Sequence, residues 1–392
     1  MTGRASVAVV HPDLSARGGA EAVCLHALEA LQDRYDVTLY TLAPVDLAAL
    51  NDYHGTDAAV PVARVGGAVR RLRDALVALA DTDYLGLLDM ALLSRLAPRI
   101  AADHDVVVGT KNELAVGPPS VQYLHFPAFD RSVVPRRDAE AAGTVSAAYD
   151  RVCDLLAGFD PAVLQRPGTV PLTNSEWMRD RIGETYGVEP AVVYPPVAVD
   201  AFDGAAWAER DHGFVSVGRL TPDKNVHRTV DIVAGVRDRG HDVHLHLVGP
   251  VPDTDYGDGL RERAAGLSFV SVEGAVPRER LVELVCTHRW GIHGKDREHF
   301  GMAVAELVAG GTVPFVPDDG GQRAIVGDDR LRYRDAEDAV AAIDGVLSDP
   351  ATCEALRDHL AGRAAEFGPE RFAERLRAAV DRALTAADGA DG

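Results

Sequence analysis

Short apolar runs rich in β-branched residues alternate with stretches of helical periodicity along most of the chain. In the first half we predict strands at Ser6–Val10, Asp36–Thr41, Val60–Val65, Val106–Gly109 and Val121–His125. In the second half we predict strands at Gly213–Gly218, His244–Val248, Phe269–Glu273, Trp290–Gly294, Val313–Val316 and Leu331–Tyr333. Because strands separated by helices pair in parallel, the pattern predicts an α/β protein with a doubly wound parallel sheet in each half.

The length of the chain and one proline-rich segment predict a division into domains. A chain of 392 residues is longer than one ordinary core requires,. Tyr194-Pro195-Pro196-Val197 is extended and stiffened by its prolines,. We therefore predict a first domain over 1–194, a linker at 195–200, a second domain over 201–367, and a C-terminal helix within 368–392 that packs back towards the first domain.

One loop in the second half combines acidic residues with a helix start. Glu298 lies on the loop, Gly301-Met302 opens the predicted helix Met302–Val308, and Glu306 lies inside that helix. Free amides at the helix start suit an anion, and the two carboxylates are placed to hold both ends of one ligand. A structural interpretation is equally consistent with this stretch alone: an acid that favours the helix dipole, and a solvated glutamate.

Three other places have the residue types of a binding site. Gly18-Gly19 lies between a predicted strand and a helix, although such a pair is as often only a turn, and the absence of GxGxxG argues against a dinucleotide site,. Arg219 and Lys224 flank a strand-to-helix loop, where an anion is expected,. His125 ends a predicted strand, and its functional and structural interpretations are evenly balanced,.

The composition and net charge of the chain argue against several classes of function. Acidic residues number 60 and basic residues 40, and the net charge of −20 argues against nucleic-acid binding and fits a salt-rich, halophilic cytoplasm,. The four cysteines form no CxxC pair and no zinc-site spacing, so we predict buried thiols and no metal site,. The early first strand leaves no room for a cleavable signal and no apolar run is long enough to span a bilayer, which predicts a cytoplasmic protein,.

Two patches in the first half suggest peripheral membrane contact on the cytoplasmic face. The basic segment Val69–Arg73 precedes the apolar segment Tyr84–Leu96, and Phe126 and Phe129 lie near Arg131,. The alternative for the first patch, a core helix beside a charged solvated one, is roughly twice as frequent.

These stretches together resemble the retaining GT-B glycosyltransferases of family 4. The resemblance is carried by Glu298-x-Phe300-Gly301-Met302-x-x-x-Glu306, by Gly218-Arg219-Leu220 with Lys224-Asn225, and by Gly18-Gly19 with Glu21. Within the family the chain is similar to the eukaryotic enzymes that add α-1,2-mannose to dolichol-linked oligosaccharide. The matching stretches are Tyr123–Pro127, Asn174-Ser175, Tyr194–Val197, Gly291–His293 and Glu298–Gly301.

The resemblance implies a fold and a set of site residues. The fold is GT-B, with two Rossmann-like domains facing across a cleft that holds the active site. Arg219 and Lys224 are implied on the donor diphosphate, Glu306 on the ribose, and Glu298 facing the transferred sugar. The remaining implied contacts are the amides around Phe300, Gly301 and Met302 on the sugar and phosphate, Gly18 and Gly19 near the donor phosphate, and His125 on the sugar and acceptor side.

The resemblance also implies a reaction: transfer of a hexose with retention of anomeric configuration and no required metal cofactor. GDP-mannose is the favoured donor and a UDP-sugar the next, and the acceptor is a glycan or lipid-linked sugar of an N-glycosylation or cell-envelope pathway. Two alternatives stay open. One is a nucleotide-sugar enzyme of the same fold with epimerase-like chemistry, and the other is a non-catalytic subunit that binds a nucleotide sugar.

Overall fold

The computed structural model of the protein describes residues 3–16, 18–65, 67, 69, 71, 73, 85–129, 144–202 and 204–388. The chain forms two compact units. Unit 1 comprises Met1–Pro196 and Glu370–Gly392, and unit 2 comprises Val197–Pro369. Each unit contains one parallel β-sheet, so the predicted α/β class is confirmed.

Unit 1 contains a seven-stranded sheet of order β3-β2-β1-β4-β5-β6-β7. Its strands are β1 (Ser6–Val10), β2 (Asp36–Thr41), β3 (Val62–Arg64), β4 (Val106–Gly109), β5 (Ser120–Leu124), β6 (Thr169–Thr173) and β7 (Ala191–Val192). Helices of the same unit are α1 (Gly19–Gln32), α2 (Leu47–His54), α3 (Leu85–Ala101), α4 (Thr144–Ala157) and α5 (Glu176–Tyr186). The strand order reverses between β1 and β4, which is where doubly wound sheets bind ligands.

Both faces of the unit 1 sheet are covered at its centre, which explains why the central strands β1 and β4 are apolar along nearly their whole length,. Val7 and Val9 of β1 pack in one hydrophobic cluster, whereas Ala8 and Val10 pack in another on the opposite face. The first cluster also includes the apolar residues of the C-terminal helix. Those residues are Phe372, Leu376, Ala379, Val380 and Ala383.

Helix α3 corresponds to the apolar segment considered for membrane contact. Its side chains Leu88, Leu92 and Leu93 are buried in the second cluster of unit 1. Arg73, in the preceding basic segment, donates to the buried Asp89 at 2.6 Å. The apolar segment is therefore a core helix, as in the alternative interpretation, whereas Arg73 of the basic segment is bound to this helix rather than solvated. Arg70 and Leu72 of the basic segment, Tyr84, and the patch residues after Phe129 lie outside the described residues.

Unit 2 contains a six-stranded sheet of order β10-β9-β8-β11-β12-β13. Its strands are β8 (Asp211–Val217), β9 (His244–Val248), β10 (Val270–Gly274), β11 (His288–Ile292), β12 (Val313–Pro317) and β13 (Arg332–Tyr333). Helices α6 to α12 are Val226–Asp238, Asp255–Ala265, Arg278–Thr287, Met302–Ala309, Gln322–Val326, Ala336–Ser348 and Pro350–Ala364, and the last helix of the chain is α13 (Pro369–Asp388). The order reverses between β8 and β11. No helix in the described parts of either unit is long and apolar enough to cross a bilayer.

Candidate active site

Two loops meet at the carboxyl end of the unit 2 sheet, beside the point where its strand order reverses. The loop after β8 ends in the turn Pro222–Lys224, and Asn225 then adopts a left-handed backbone with φ of 51°. The Asn225 side-chain amide donates to the Gly294 carbonyl in the loop after β11, at 3.0 Å. A Cβ at Gly294 would lie 2.5 Å from the Lys224 carbonyl oxygen, so the close approach of the two loops requires glycine,.

Around Glu298 these loops assemble a group of charged side chains, which we call the Glu298 cluster: Glu298, Lys224, His293 and Lys295. Lys224 Nζ lies 2.7 Å from Glu298 Oε2, and His293 Nε2 lies 3.3 Å from the same oxygen. Lys295 Nζ lies 3.8 Å from Glu298 Oε1. The carboxylate is 15% exposed and therefore faces solvent with only part of its surface.

The Glu298 carboxylate is ionised because its partners outweigh its burial. Burial alone would raise the pKa of Glu298, but the hydrogen bond with His293 and the charges of Lys224 and Lys295 hold the pKa well below its usual range,. Burial lowers the pKa of His293 and lowers the pKa of His299 to about 4. The site therefore presents a fixed negative charge among cations, beside neutral imidazoles, at neutral pH.

The backbone of Glu298 is held by a third loop, after β12. The Gly321 N–H donates to the Glu298 carbonyl oxygen at 2.7 Å. Gly320 has a φ of 80°, and a Cβ there would lie 2.6 Å from the Glu298 nitrogen. The Gln322 side chain donates to the Lys295 carbonyl at 2.9 Å. These contacts define the position of the loop that leads into α9.

Helix α9 begins directly after this loop. Gly301 is its N-cap, with a φ of 113° that favours glycine,. The Val304 N–H donates to the Gly301 carbonyl, so the amides of Met302 and Ala303 precede the intrahelical pattern,. Phe300 is buried and its ring packs against Phe367 at 5.9 Å, which leaves its backbone as the part suited to a ligand.

Glu306 and Arg219 are placed differently from the Glu298 cluster. Glu306 Oε1 lies 2.5 Å from Arg278 Nη1, an ion pair that the sequence did not reveal. Arg219 is exposed. It lines a small cavity together with Gly218, Lys224 and His293. Arg219, Lys224 and Glu298 thus occupy the same edge of the unit 2 sheet, as an anion site needs.

Unit 1 has its own charged group at the carboxyl end of its sheet, which we call the Glu21 cluster: Glu21, Lys111, His11 and Gly18. Lys111 Nζ lies 2.9 Å from Glu21 Oε1, and the Gly18 N–H donates to Glu21 Oε2 at 3.1 Å. Burial opposes ionisation of Glu21, yet the hydrogen bond with His11 and the charge of Lys111 lower its pKa to about 2. The Gly18 amide, predicted near a phosphate, is thus already bonded to Glu21.

His125 lies near the Glu21 cluster but is held by the backbone. Its Nε2–H donates to the Thr110 carbonyl at 3.2 Å, and its own N–H donates to Asn112 Oδ1 at 2.9 Å. Burial lowers the pKa of His125 to about 3, so the ring is neutral at physiological pH. A neutral, oriented imidazole can offer Nδ1 to a ligand but is a weak base.

Sequence reasoning assigned no role to five charged or titratable residues of these two sites. They are His11, Lys111, Arg278, His293 and Lys295. The sequence did contain a signal for Lys111 and Lys295, namely that the chain has only three lysines. Each of the three lysines belongs to the Glu298 cluster or to the Glu21 cluster. The role of Arg278 depends on the sheet order and had no local signal.

A doubly wound unit with two cations and a helix start at its switch point has the features that suit a phosphorylated ligand. Comparison with known families identifies the class more closely. Residues 200–364 match the family model described as "Glycosyl transferases group 1". Unit 2 is therefore a glycosyltransferase group 1 domain, which confirms the predicted class of protein.

Curated relatives agree with this class at low identity. The chain is 24% identical over 369 residues to the mouse GDP-Man:Man(3)GlcNAc(2)-PP-Dol alpha-1,2-mannosyltransferase, covering 81% of the chain and 73% of that enzyme. It is 26% identical over 208 residues to the Dictyostelium discoideum enzyme of the same name, covering 48% of the chain and 39% of that enzyme. The chain thus spans well under half of the Dictyostelium relative.

Solved structures match nearly the whole chain. Sucrose-phosphate synthase from Thermosynechococcus elongatus has a TM-score of 0.69 at 16% identity, covering 98% of this chain and 100% of that one. HepE from Anabaena in complex with UDP-glucose has a TM-score of 0.65 at 16% identity, covering 96% and 99%. The predicted GT-B fold is confirmed by these likenesses.

Proposed function

We propose that the protein transfers mannose from GDP-mannose to a glycan or lipid-linked sugar acceptor, with retention of anomeric configuration. The observation that carries this proposal is the Glu298 cluster, in which a lysine and an ionised carboxylate lie 2.7 Å apart beside a helix start. The choice of donor is supported by the curated relatives, which are named as GDP-mannose enzymes. A UDP-sugar is the next candidate, because HepE binds UDP-glucose.

The cations of the site act on the leaving group. As the bond between the sugar C1 and the donor phosphate oxygen breaks, negative charge grows on the departing diphosphate. Lys224 and Arg219 lie where they can stabilise that charge, and so do the amides of Met302 and Ala303 at the start of α9. A preorganised positive site of this kind lowers the barrier because its dipoles and charges need no reorganisation during the reaction.

Retention is explained by attack on the face that the phosphate leaves. The acceptor hydroxyl oxygen forms the new bond to C1, and its proton passes to the departing phosphate. No carboxylate nucleophile of the protein is required. Glu298 instead accepts hydrogen bonds from the hydroxyl groups of the transferred sugar, since its low pKa keeps it an acceptor at both oxygens. Glu306 binds the ribose through the oxygen that Arg278 does not occupy.

Unit 1 is the proposed acceptor side. The Glu21 cluster offers a lysine and a carboxylate, and His125 is neutral and fixed in orientation. Groups of this kind recognise sugar hydroxyls because they donate hydrogen bonds to the hydroxyl oxygens and accept hydrogen bonds from the hydroxyl protons. A diphosphate near Gly18 and Gly19 would share their amides with Glu21, which already accepts the Gly18 N–H.

The two alternative functions predict different products. An epimerase-like enzyme releases a sugar of changed configuration without needing an acceptor, and a binding subunit releases no sugar at all. Incubation with GDP-mannose, first alone and then with a glycan acceptor, separates the three cases. Transfer to the acceptor with slow release of free mannose in its absence supports the proposal.

We expect GDP to raise the melting temperature of the protein more than UDP or ADP does. A ligand at 100 times its Kd stabilises the folded state by about 2.7 kcal/mol, which a thermal-shift assay detects. GDP-mannose and UDP-glucose are tested beside the free nucleotides. A larger shift with UDP and UDP-glucose would move the donor assignment to a UDP-sugar, and no shift with any of them would contradict the proposal as a whole.

If the acceptor is lipid-linked, we expect the protein to bind membranes through an apolar surface. Helix α4 exposes Val152 by 59% and Leu155 by 83%, one turn apart,. Because the net charge of −20 repels anionic lipid, insertion of apolar side chains must provide most of the binding energy,. In 1 M salt the Debye length is about 3 Å, so the repulsion is screened. We expect zwitterionic liposomes to float the protein in high salt.

The matched variants for this test each add one acidic residue in unit 1. Leu155→Asp is expected to abolish flotation. Tyr53→Asp, which alters a residue exposed by 42% on α2, is expected to leave it unchanged. A wild-type protein that stays wholly soluble and glycosylates a water-soluble acceptor as fast as a lipid-linked one would remove the membrane from the proposal.

A further inference from the structure

Three histidines meet on one face of the unit 2 sheet, at the edge where its strands begin. His244 and His246 lie on β9 and His288 begins β11. One ring nitrogen from each lies within 4.8 Å of the others, and His244 Nε2 lies 3.1 Å from His288 Nε2. Strand β8 runs between β9 and β11.

Glycine on the intervening strand allows the rings to meet. Gly213 pairs in register with His244. A Cβ at Gly213 would lie 2.2 Å from His244 Nε2, so any larger residue would displace that ring. The histidines of β9 and β11 thus reach each other across a strand that has no side chain at this position.

Two of the rings are oriented by acceptors behind them. His246 Nδ1 lies 2.7 Å from Glu273 Oε1, and His288 Nδ1 lies 2.8 Å from the Leu284 carbonyl oxygen. Because both acceptors take the Nδ1 proton, the Nε2 atoms of His246 and His288 carry lone pairs, and the one on His288 accepts a hydrogen bond from His244 Nε2–H. This carboxylate or carbonyl behind a ring is the arrangement that orients histidine ligands of metals.

We propose that His244, His246 and His288 bind one divalent transition-metal ion of the zinc class, with water as the fourth ligand. Ligands 2.0–2.1 Å from a tetrahedral ion lie about 3.3 Å from one another, close to the separation of His244 and His288,. His246 joins them by a small movement of its ring.

The position of the three histidines in the sheet indicates a structural role for the bound ion. The three histidines lie at the amino end of the strands, whereas the Glu298 cluster follows their carboxyl ends. A bound ion would therefore link β9 to β11 across β8 and stabilise unit 2, without contacting the proposed donor. The inference departs from the sequence prediction of no metal site, and its test does not depend on glycosyltransferase activity.

The test uses the full chain after chelator treatment and dialysis. Titration with Co(II) is expected to give visible ligand-field bands of a tetrahedral or five-coordinate ion that saturate at one ion per chain. Zn(II) is expected to displace the cobalt, remove the bands and raise the melting temperature. His246→Gln and His288→Gln are each expected to weaken binding by at least about 100-fold, and Glu273→Gln by about 10–100-fold.

The control is His212→Gln. His212 lies on β8 but accepts a hydrogen bond from Trp290 Nε1 at 3.2 Å, so this variant should keep wild-type binding. Glu273→Gln retains all three histidines and serves if a histidine variant fails to fold. Absence of stoichiometric binding by the wild type, or unchanged binding in both His246→Gln and Glu273→Gln, would overturn the proposal.

Discussion

Glu298→Gln is expected to reduce turnover by about 10²–10³-fold at saturating donor, the loss typical for one preorganised electrostatic group. The substitution keeps the shape of the side chain and removes the charge that lies 2.7 Å from Lys224. Affinity for the nucleoside diphosphate is expected to be retained or to increase, because Lys224 and Lys295 lose a carboxylate partner and keep their charges for the phosphates. Steady-state kinetics and calorimetry with GDP measure the two effects separately.

Glu306→Gln is the informative comparison for this experiment. Glu306 lies on α9 and its proposed ligand is the ribose, so its loss is expected mainly to weaken nucleotide binding. Glu279→Gln makes the same change of charge at an exposed position of unit 2 and should alter neither quantity. Equal losses of GDP affinity in Glu298→Gln and Glu306→Gln would contradict the division of roles between the two carboxylates.

Lys224→Ala and Arg219→Ala are each expected to raise the barrier by about 2.7–4 kcal/mol, since both cations are proposed to stabilise charge that develops in the transition state. Their effects on folding should differ. Arg219 is exposed, so its loss should change stability little,. Lys224 belongs to a partly buried ion pair, but Glu298 keeps His293 and Lys295 as partners. Turnover is measured at saturating GDP-mannose and stability by denaturant unfolding.

Arg261→Ala provides the matched control for the two cations. Arg261 lies on α7 in unit 2, and its side chain pairs with Asp258 at 2.9 Å on the exposed surface. An exposed pair of this kind is worth about 0.2–1 kcal/mol, so this variant should fold and turn over like the wild type. Wild-type rates in both Lys224→Ala and Arg219→Ala would remove these residues from the active site.

Local signals in the sequence were sufficient for most strands. Buried parallel strands are mostly apolar, as in β1 and β4, and these two strands have the predicted bounds, as does β9 with its alternating histidines and leucines,. The sequence missed elements with weak local signals. Strand β7 has only two residues, Ala191–Val192, and is too short to show a periodicity, although it pairs in parallel with β6 after helix α5. Helices α2 and α4 were also not predicted.

The sequence alone determined which positions follow strands and begin helices, because those properties depend on neighbours along the chain. It therefore placed Arg219, Lys224, Glu298 and the start of α9 at the ends of predicted strands. Tertiary structure alone decided which of these residues become partners. Lys224 and Glu298 are 74 positions apart, and they meet because β8 and β11 are adjacent in the sheet.

The same reason explains the histidine site and the core helix. His244 and His246 alternate on one strand, which the sequence could indicate, but His288 joins them only because β8 lies between β9 and β11 and has glycine at position 213. For α3, the apolar periodicity predicts a helix whose surface must be buried, but it does not identify the residues that bury it. The covering surface in unit 1 is formed by residues distant in sequence, including Cys153 and Val107, and sheet order rather than local pattern brings them together.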